Sequence, residues 1–245
     1  MFAGMIHANN NKRLANELLI EHIRTTEFSE KVSRLRGLFL FGDRKSAQKA
    51  TVWGGHFILE NLAEVDAYTK SGPTKLDANW ITHFKRREEI ITEDSIEDIR
   101  KYWGGEPYDS NPCWEYLIDG YAKILSASIK KRAYEEVKNR MPKSLDLLKL
   151  SKDAFLLDSD LGHCIPWIQR ISPTEFELKF LMNFKDAKNR LFLNKLYNLQ
   201  MHRKKRNFNQ VSELICPDLR QFYRKFSMSD YNLYGYSNLK IHLNF

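Results

Sequence analysis

The stretch Tyr102-Trp103-Gly104-Gly105-Glu106-Pro107-Tyr108-Asp109-Ser110-Asn111-Pro112-Cys113-Trp114-Glu115-Tyr116-Leu117-Ile118-Asp119-Gly120 decides how the chain is built. Between Trp103 and Trp114, paired glycines, two prolines, Asn, Ser and Asp write a loop that no regular element accommodates. Glu115 follows at once, a lone carboxylate among Trp, Tyr, Leu and Ile. A carboxylate in such company needs a partner, a cleft or a ligand to solvate it. The segment carrying it has two readings. Trp114, Leu117, Ile118, Tyr121, Ile124 and Leu125 recur at helical spacing, and Pro112 suits a helix start. Gly120 and the aromatic and β-branched content favour a strand.

Working outward towards the N-terminus, Phe2–Ala8 reads as a short first strand. Asn9-Asn10-Asn11 starts a helix whose inner side is Leu14, Leu18, Leu19, His22 and Ile23. In Ser33-Arg34-Leu35-Arg36-Gly37-Leu38-Phe39-Leu40-Phe41 the apolar end is a strand. Gly42-Asp43 turns it into a short helix through Ala47 and Ala50. His56-Phe57-Ile58-Leu59 and Ala63–Tyr68 read as further strands. Thr92 opens a helix with Ile96, Ile99, Tyr102 and Trp103 inward and Gly104 at its end.

Towards the C-terminus, Ser128–Arg140 is a charged helix closed by Met141-Pro142. Ser172-Pro173-Thr174-Glu175 is a capping box with proline at the first helical position. It predicts a long helix through Phe176, Phe180, Phe184, Ala187 and Leu191. A boundary near Met141–Ser144 would divide the chain into regions 1–142 and 143–245.

Charge separates those two regions. The chain of 245 residues carries a net +8. Residues 143–245 hold 17 Lys+Arg against 10 Asp+Glu, whereas residues 1–142 hold 22 against 21. The excess therefore belongs to the C-terminal region, which suits an anionic partner, nucleic acid ahead of membrane. Arg203-Lys204-Lys205-Arg206 is its densest run, and the tyrosines at 223, 231, 234 and 236 offer stacking faces. No apolar run approaches the length of a transmembrane helix, and the N-terminus lacks a signal-like pattern. Cys113, Cys164 and Cys216 make no zinc spacing, so no metal is expected and a reducing, cytoplasmic setting is.

Three of these features together resemble the ADP-ribosyltransferases. Ser33–Phe41 followed by Ala47 is similar to that fold's central strand-then-helix motif beside the nicotinamide pocket. Trp103 to Ile124 is similar to a target-recognition loop followed by the strand bearing the catalytic glutamate, here Glu115. The short N-terminal element with His7 matches a place where the fold often keeps a His or Arg for NAD. The likeness is nearest to bacterial toxins and phage-defence proteins of this type and spans about residues 1–126. It implies an α+β fold with a split β-sheet core, ahead of a mostly helical, basic C-terminal region. It further implies NAD as substrate and an antitoxin as partner. The family's Ser-Thr-Ser triplet is absent, and Cys113 stands where a second glutamate would mark arginine-directed members.

On this resemblance Glu115 is the catalytic residue, and His7, Ser33, Arg34, Arg36 and Phe39 hold NAD. Cleavage of the nicotinamide–ribose bond builds positive charge on the ribose, which an ionised carboxylate stabilises in the transition state. Arg34 or Arg36 would clamp the diphosphate. Tyr108 with Arg203, Lys204, Lys205 and Arg206 would bind the nucleic-acid acceptor, RNA ahead of DNA. Two rivals stand beside this reading. One is a nucleic-acid-binding protein without catalysis. The other is a metal-dependent nuclease using Asp158 and Asp160 of Asp158-Ser159-Asp160, with His163.

Overall fold

The computed structural model describes residues 2–53, 57–69, 71–202 and 219–228. The fold is mixed α+β with several small sheets. It divides into two units. The first comprises the described residues of Met1–Ile129, Ile168–Leu178 and Arg224–Phe245, and the second those of Lys130–Trp167 and Lys179–Tyr223.

The chain opens with helix α1 (Phe2–Ala8), not the expected strand. Phe2, Met5 and Ile6 are its buried side, a helical spacing that a short apolar run also offers to a strand. Helix α2 (Asn11–Glu27) starts where the sequence predicts, with the Asn10 side chain accepting from the Arg13 N–H at 2.8 Å. Strand β1 (Leu38–Phe41) and helix α3 (Arg44–Lys49) follow, the latter capped by Asp43. Of the strand expected over His56–Leu59, His56 lies outside the described residues, 57 and 58 are irregular and Leu59–Asn61 is a 3₁₀ turn, so no strand forms over 57–59.

Strands β2 (Val65–Thr69) and β3 (Thr74–Asp77) come next, then α4 (Asn79–His83), β4 (Arg86–Arg87), β5 (Ile90–Ile91) and α5 (Ile96–Gly104). Gly105 ends α5 at φ 76°, the left-handed region that glycine occupies without strain. Leu19, Ile20 and Ile23 of α2 pack with Leu76, Trp80, Ile99, Tyr102, Trp103 and Leu117 into the main core. The Trp103 indole N–H donates to the Ile20 carbonyl, which lets a polar edge lie in that core.

The contested segment is extended: β6 (Trp114–Ile118) and β7 (Gly120–Ile124). In β6, Glu115 and Leu117 are buried while Trp114 and Tyr116 are half-buried, a period of two that the helical spacing masks. The strand lies between β1 and β3, antiparallel to both, with Glu115 opposite Phe41 and Leu76. Strand β7 pairs with β2, and Thr69 faces Gly120. A Cβ at Gly120 would lie 1.9 Å from the Tyr68 carbonyl oxygen. The glycine that speaks against a helix is thus required by the neighbouring strand.

Helix α6 (Ala127–Arg140) and helix α7 (Leu145–Phe155) are followed by strands β8 (Cys164–Ser172) and β9 (Glu175–Met182). The capping box at Ser172–Glu175 is therefore the turn between two strands, and the long helix expected from it does not form there. Phe176 and Leu178 are both fully buried two positions apart, and this alternation outweighs the local cap pattern. Helix α8 (Arg190–His202) and strand β10 (Tyr223–Ser227) complete the described chain, with β10, β9 and β8 adjacent in that order in one sheet. The described part of the C-terminal region is thus a mixture of strands and helices rather than mostly helical.

Candidate functional site

Glu115 sits in the central strand and meets α2, α5 and the segment before β1 through one guanidinium. Arg34 Nη1 donates to Glu115 Oε1 at 3.0 Å. The Tyr102 hydroxyl, at the inner face of α5, donates to the same oxygen at 2.8 Å and accepts from Arg34 Nη1. On its other edge Arg34 holds Glu17 of α2, from Nε to Oε2 at 3.1 Å and from Nη2 to Oε1 at 3.4 Å. Both bonds to Glu115 fall on Oε1, and Oε2 takes part in neither. The Phe39 ring lies under the guanidinium, its centroid 5.1 Å from Cζ.

The four polar side chains are buried, so the electrostatics are strong. Burial opposes the Arg34 charge, but Glu17, Tyr102 and Glu115 around it hold the guanidinium well above its usual pKa. Burial also raises the Glu115 carboxyl, against the pull of Arg34 and the Tyr102 hydrogen bond. The Tyr102 phenol is pushed well above its ordinary range, first by burial. An oxygen fixed by two donors beside one that is uncommitted gives a carboxyl of defined orientation.

Of the residues the sequence nominates, Arg34, Phe39 and Glu115 come together in this cluster. Ser33 and Arg36 line a separate cavity of about 430 Å³ with Glu21, Arg24, Lys31 and Asp119. Ser33 is buried there and its hydroxyl accepts from the Leu35 N–H at 3.1 Å, while Arg36 is exposed. His7 is exposed on α1 rather than placed on a strand. Tyr108 is partly exposed and stacks on His83, with centroids 4.0 Å apart, and meets Trp80 edge-on. Arg203, Lys204, Lys205 and Arg206 lie outside the described residues.

The loop before β6 is pinned from below. Asp77, at the end of β3, accepts from the backbone N–H groups of Asn79 and Cys113 on Oδ1 and of Tyr108 on Oδ2. Lys49 Nζ donates to the carbonyls of Asn111 and Pro112 and to the Asn111 side chain. The loop thus delivers β6, and Glu115 with it, in one register.

Asp158, Asp160 and His163 are exposed around the turn after α7. Among the described residues no group of three His, Cys, Asp or Glu side chains is arranged to hold a metal ion. No helix among them is long and apolar enough to cross a membrane.

Sequence reasoning missed Glu17, Glu21 and Tyr102. A signal was there: Leu14, Glu17, Leu18 and Glu21 recur at i, i+3, i+4 and i+7, which sets two carboxylates in the apolar stripe of α2. Both are buried.

A family model described as "Protein of unknown function (DUF2441)" matches residues 3–136, which include every residue of the cluster and of the cavity. No curated protein and no solved structure matches the chain. With more than half of its length inside that match, the chain belongs to the DUF2441 family.

Proposed function

We propose that this protein is a mono-ADP-ribosyltransferase that cleaves NAD and modifies a nucleic acid, RNA in preference to DNA. The observation that carries the reading is the Glu115 carboxyl, held through Oε1 by Arg34 and Tyr102 with Oε2 left for a substrate. That Arg34 and Phe39 of the Ser33–Phe41 stretch meet Glu115, 81 positions beyond Arg34, in one cluster supports it. In the reaction the bond from ribose C1′ to the nicotinamide nitrogen breaks and its electrons leave with nicotinamide. A nucleophile of the acceptor forms the new bond to C1′ and releases its proton to solvent. Glu115 stabilises the positive ribose between the two events. Arg34 acts as a positioning residue for Glu115, since its donors are spent on protein groups. The diphosphate contact then falls to Arg36. The basic C-terminal region docks the acceptor, and the setting is a cytoplasmic toxin or anti-phage system restrained by an antitoxin.

The test is incubation with labelled NAD and separate pools of RNA, DNA and protein. Label is expected in RNA, and Glu115→Gln should abolish it while the variant stays folded. Full transfer by that variant would sink the assignment.

A second reading is favoured by burial: each of Glu17, Arg34 and Glu115 keeps only 8 % of its side chain exposed. In it the cluster fastens β6 to α2 and α5 and does no chemistry. No NAD consumption by the wild type, with a large stability loss in Arg34 variants, would select this reading.

A further inference from the structure

The ribbon of β2 (Val65–Thr69) and β7 (Gly120–Ile124) has only two strands. Two strands alone make a marginal sheet in water, and a further strand stabilises it. The ladder fixes which backbone groups are left for one. The Leu125 N–H donates to the Glu64 carbonyl at 3.0 Å. Hydrogen-bonded and non-bonded partners alternate along an antiparallel pair, so Asp66 with Lys123 and Tyr68 with Tyr121 exchange the ladder bonds. The N–H and C=O groups of Gly120, Ala122 and Ile124 therefore point away from β2. Among the described residues no strand meets them.

Successive side chains of a strand point to opposite faces. Asp66, Tyr68, Tyr121 and Lys123 thus share one face of the ribbon, where the two rings stack with centroids 4.6 Å apart. Both tyrosines remain exposed there.

An open edge is a template for another chain, and the residues on this one suit a copy of itself. A second β7, run antiparallel about a two-fold axis, sets Ala122 against its own counterpart. Tyr121 then faces Lys123 of the second copy, and Gly120 faces Ile124. Three residue pairs each exchange two main-chain hydrogen bonds. Across the four strands a row on the tyrosine face runs Tyr68, Tyr121, Lys123, Asp66, the last two from the second copy. A ring lies beside an ammonium and an ammonium beside a carboxylate, and no like charges stand directly opposed. The outer edge of β2 serves less well. A two-fold axis there through Ala67 sets the Asp66 carboxylate beside Tyr68, whose ring face is itself negative.

We infer that the protein forms a two-fold symmetric dimer by antiparallel pairing of β7 with β7 of a second copy, which joins the two ribbons into one four-stranded sheet. The contact is small, so the dimer forms at micromolar rather than nanomolar concentrations. The inference does not rest on the proposed transfer reaction, since Glu115 takes no part in the pairing.

The experiment is sedimentation equilibrium of the full chain from about 1 μM to about 300 μM. The mass should rise with concentration from 29.0 kDa towards twice that value. Ala122→Pro is the sharpest variant. The Ala122 N–H faces away from β2, so the ribbon loses no bond, while proline removes both donors on the axis. This variant should keep the monomer mass over the whole range. Lys123→Glu should weaken association by about tenfold, because it sets a carboxylate beside each facing ring. Amide exchange reads the register: protection of Ala122 and Ile124 should rise at least about tenfold across the range, whereas Tyr121 and Lys123 are protected at both ends. A monomer at every concentration overturns the inference. So does a dimer of wild-type affinity in Ala122→Pro, which would put the contact on another surface. Should Ala122→Pro fail to fold, the other two measurements decide, and either unchanged association of Lys123→Glu or an unprotected Ala122 amide refutes the pairing.

Discussion

Helix α2 presents two carboxylates one turn apart, and the protein treats them in opposite ways. Glu17 is gripped on both oxygens by Arg34, which also reaches Glu115 and Tyr102. Glu21 is gripped on one oxygen by Arg24, whose remaining donor ties down the Ser29 and Lys31 carbonyls. The first arrangement carries two carboxylates on one guanidinium and, Glu115 Oε2 apart, is satisfied within the fold. The second balances charge one to one and leaves only the Ser33 hydroxyl beside the rest of the carboxylate. Burial alone does not separate the two. The number of guanidinium donors per carboxyl oxygen does, and it distinguishes a closed arrangement, with Glu17 held on both oxygens, from an open one held on a single oxygen.

The widest test of that contrast removes the cation from the closed side. Arg34→Ala leaves Glu17 and Glu115 buried without a counter-charge, and urea unfolding should show a loss of about 3–5 kcal/mol. Arg34→Lys should recover part of it, since a point charge cannot hold three partners as a planar fork does. A loss below about 1 kcal/mol for Arg34→Ala would mean that the cluster is no more demanding than a surface pair.

The open side should show a smaller effect with a distinctive pH course. Burial raises the Glu21 carboxyl above its ordinary value of 4.5. A raised folded-state pKa means that the folded protein takes up the proton first. Its stabilising effect is complete below the ordinary value and is lost as pH rises through the raised one. Wild type should therefore gain stability relative to Glu21→Gln as the pH is lowered towards 4.5. Near neutral pH the two should differ by about 1 kcal/mol or less. A difference that grows as pH rises instead would reverse the assignment of Glu21 as the strained partner.

The smallest effect concerns reactivity. Cys113 precedes Glu115 by two residues, is fully buried, and has its thiol pushed up to about 11 by burial, with Asp77 adding to it. Alkylation at pH 8, mapped by mass spectrometry, should mark Cys164 before Cys113. Early labelling of Cys113 would show that the closed side opens readily.

Much of this architecture could be read from the chain. Asn10 as a cap, β1 after Gly37, α5 with its inward Tyr102 and Trp103, and α6 all follow from local chemistry that the fold keeps. What failed was local chemistry overruled by neighbours. Ser172-Pro173-Thr174-Glu175 has the letters of a helix start, but Phe176 and Leu178 are buried by alternation in a strand. Trp114–Leu125 has helical spacing because two strands joined at Asp119 happen to add up to it. In the candidate site, Glu115 stood out as a lone acid in apolar company. Arg34 was nominated by the resemblance as a residue for NAD, and its pairing with Glu115 and Glu17 was not visible in the sequence. Glu17 and Glu21 needed the wheel of α2 to be drawn with charged residues on its inner side.

Asp77 carries one more consequence. It meets the loop through the backbone amides of Tyr108 and Cys113, never through their side chains. The path of the loop is therefore dictated from some thirty positions upstream, while at its exposed tip Asp109 adds only a local bond from the Asn111 N–H and Ser110 can be rewritten. A designer seeking to retarget this surface would randomise those tips and leave the aspartate alone.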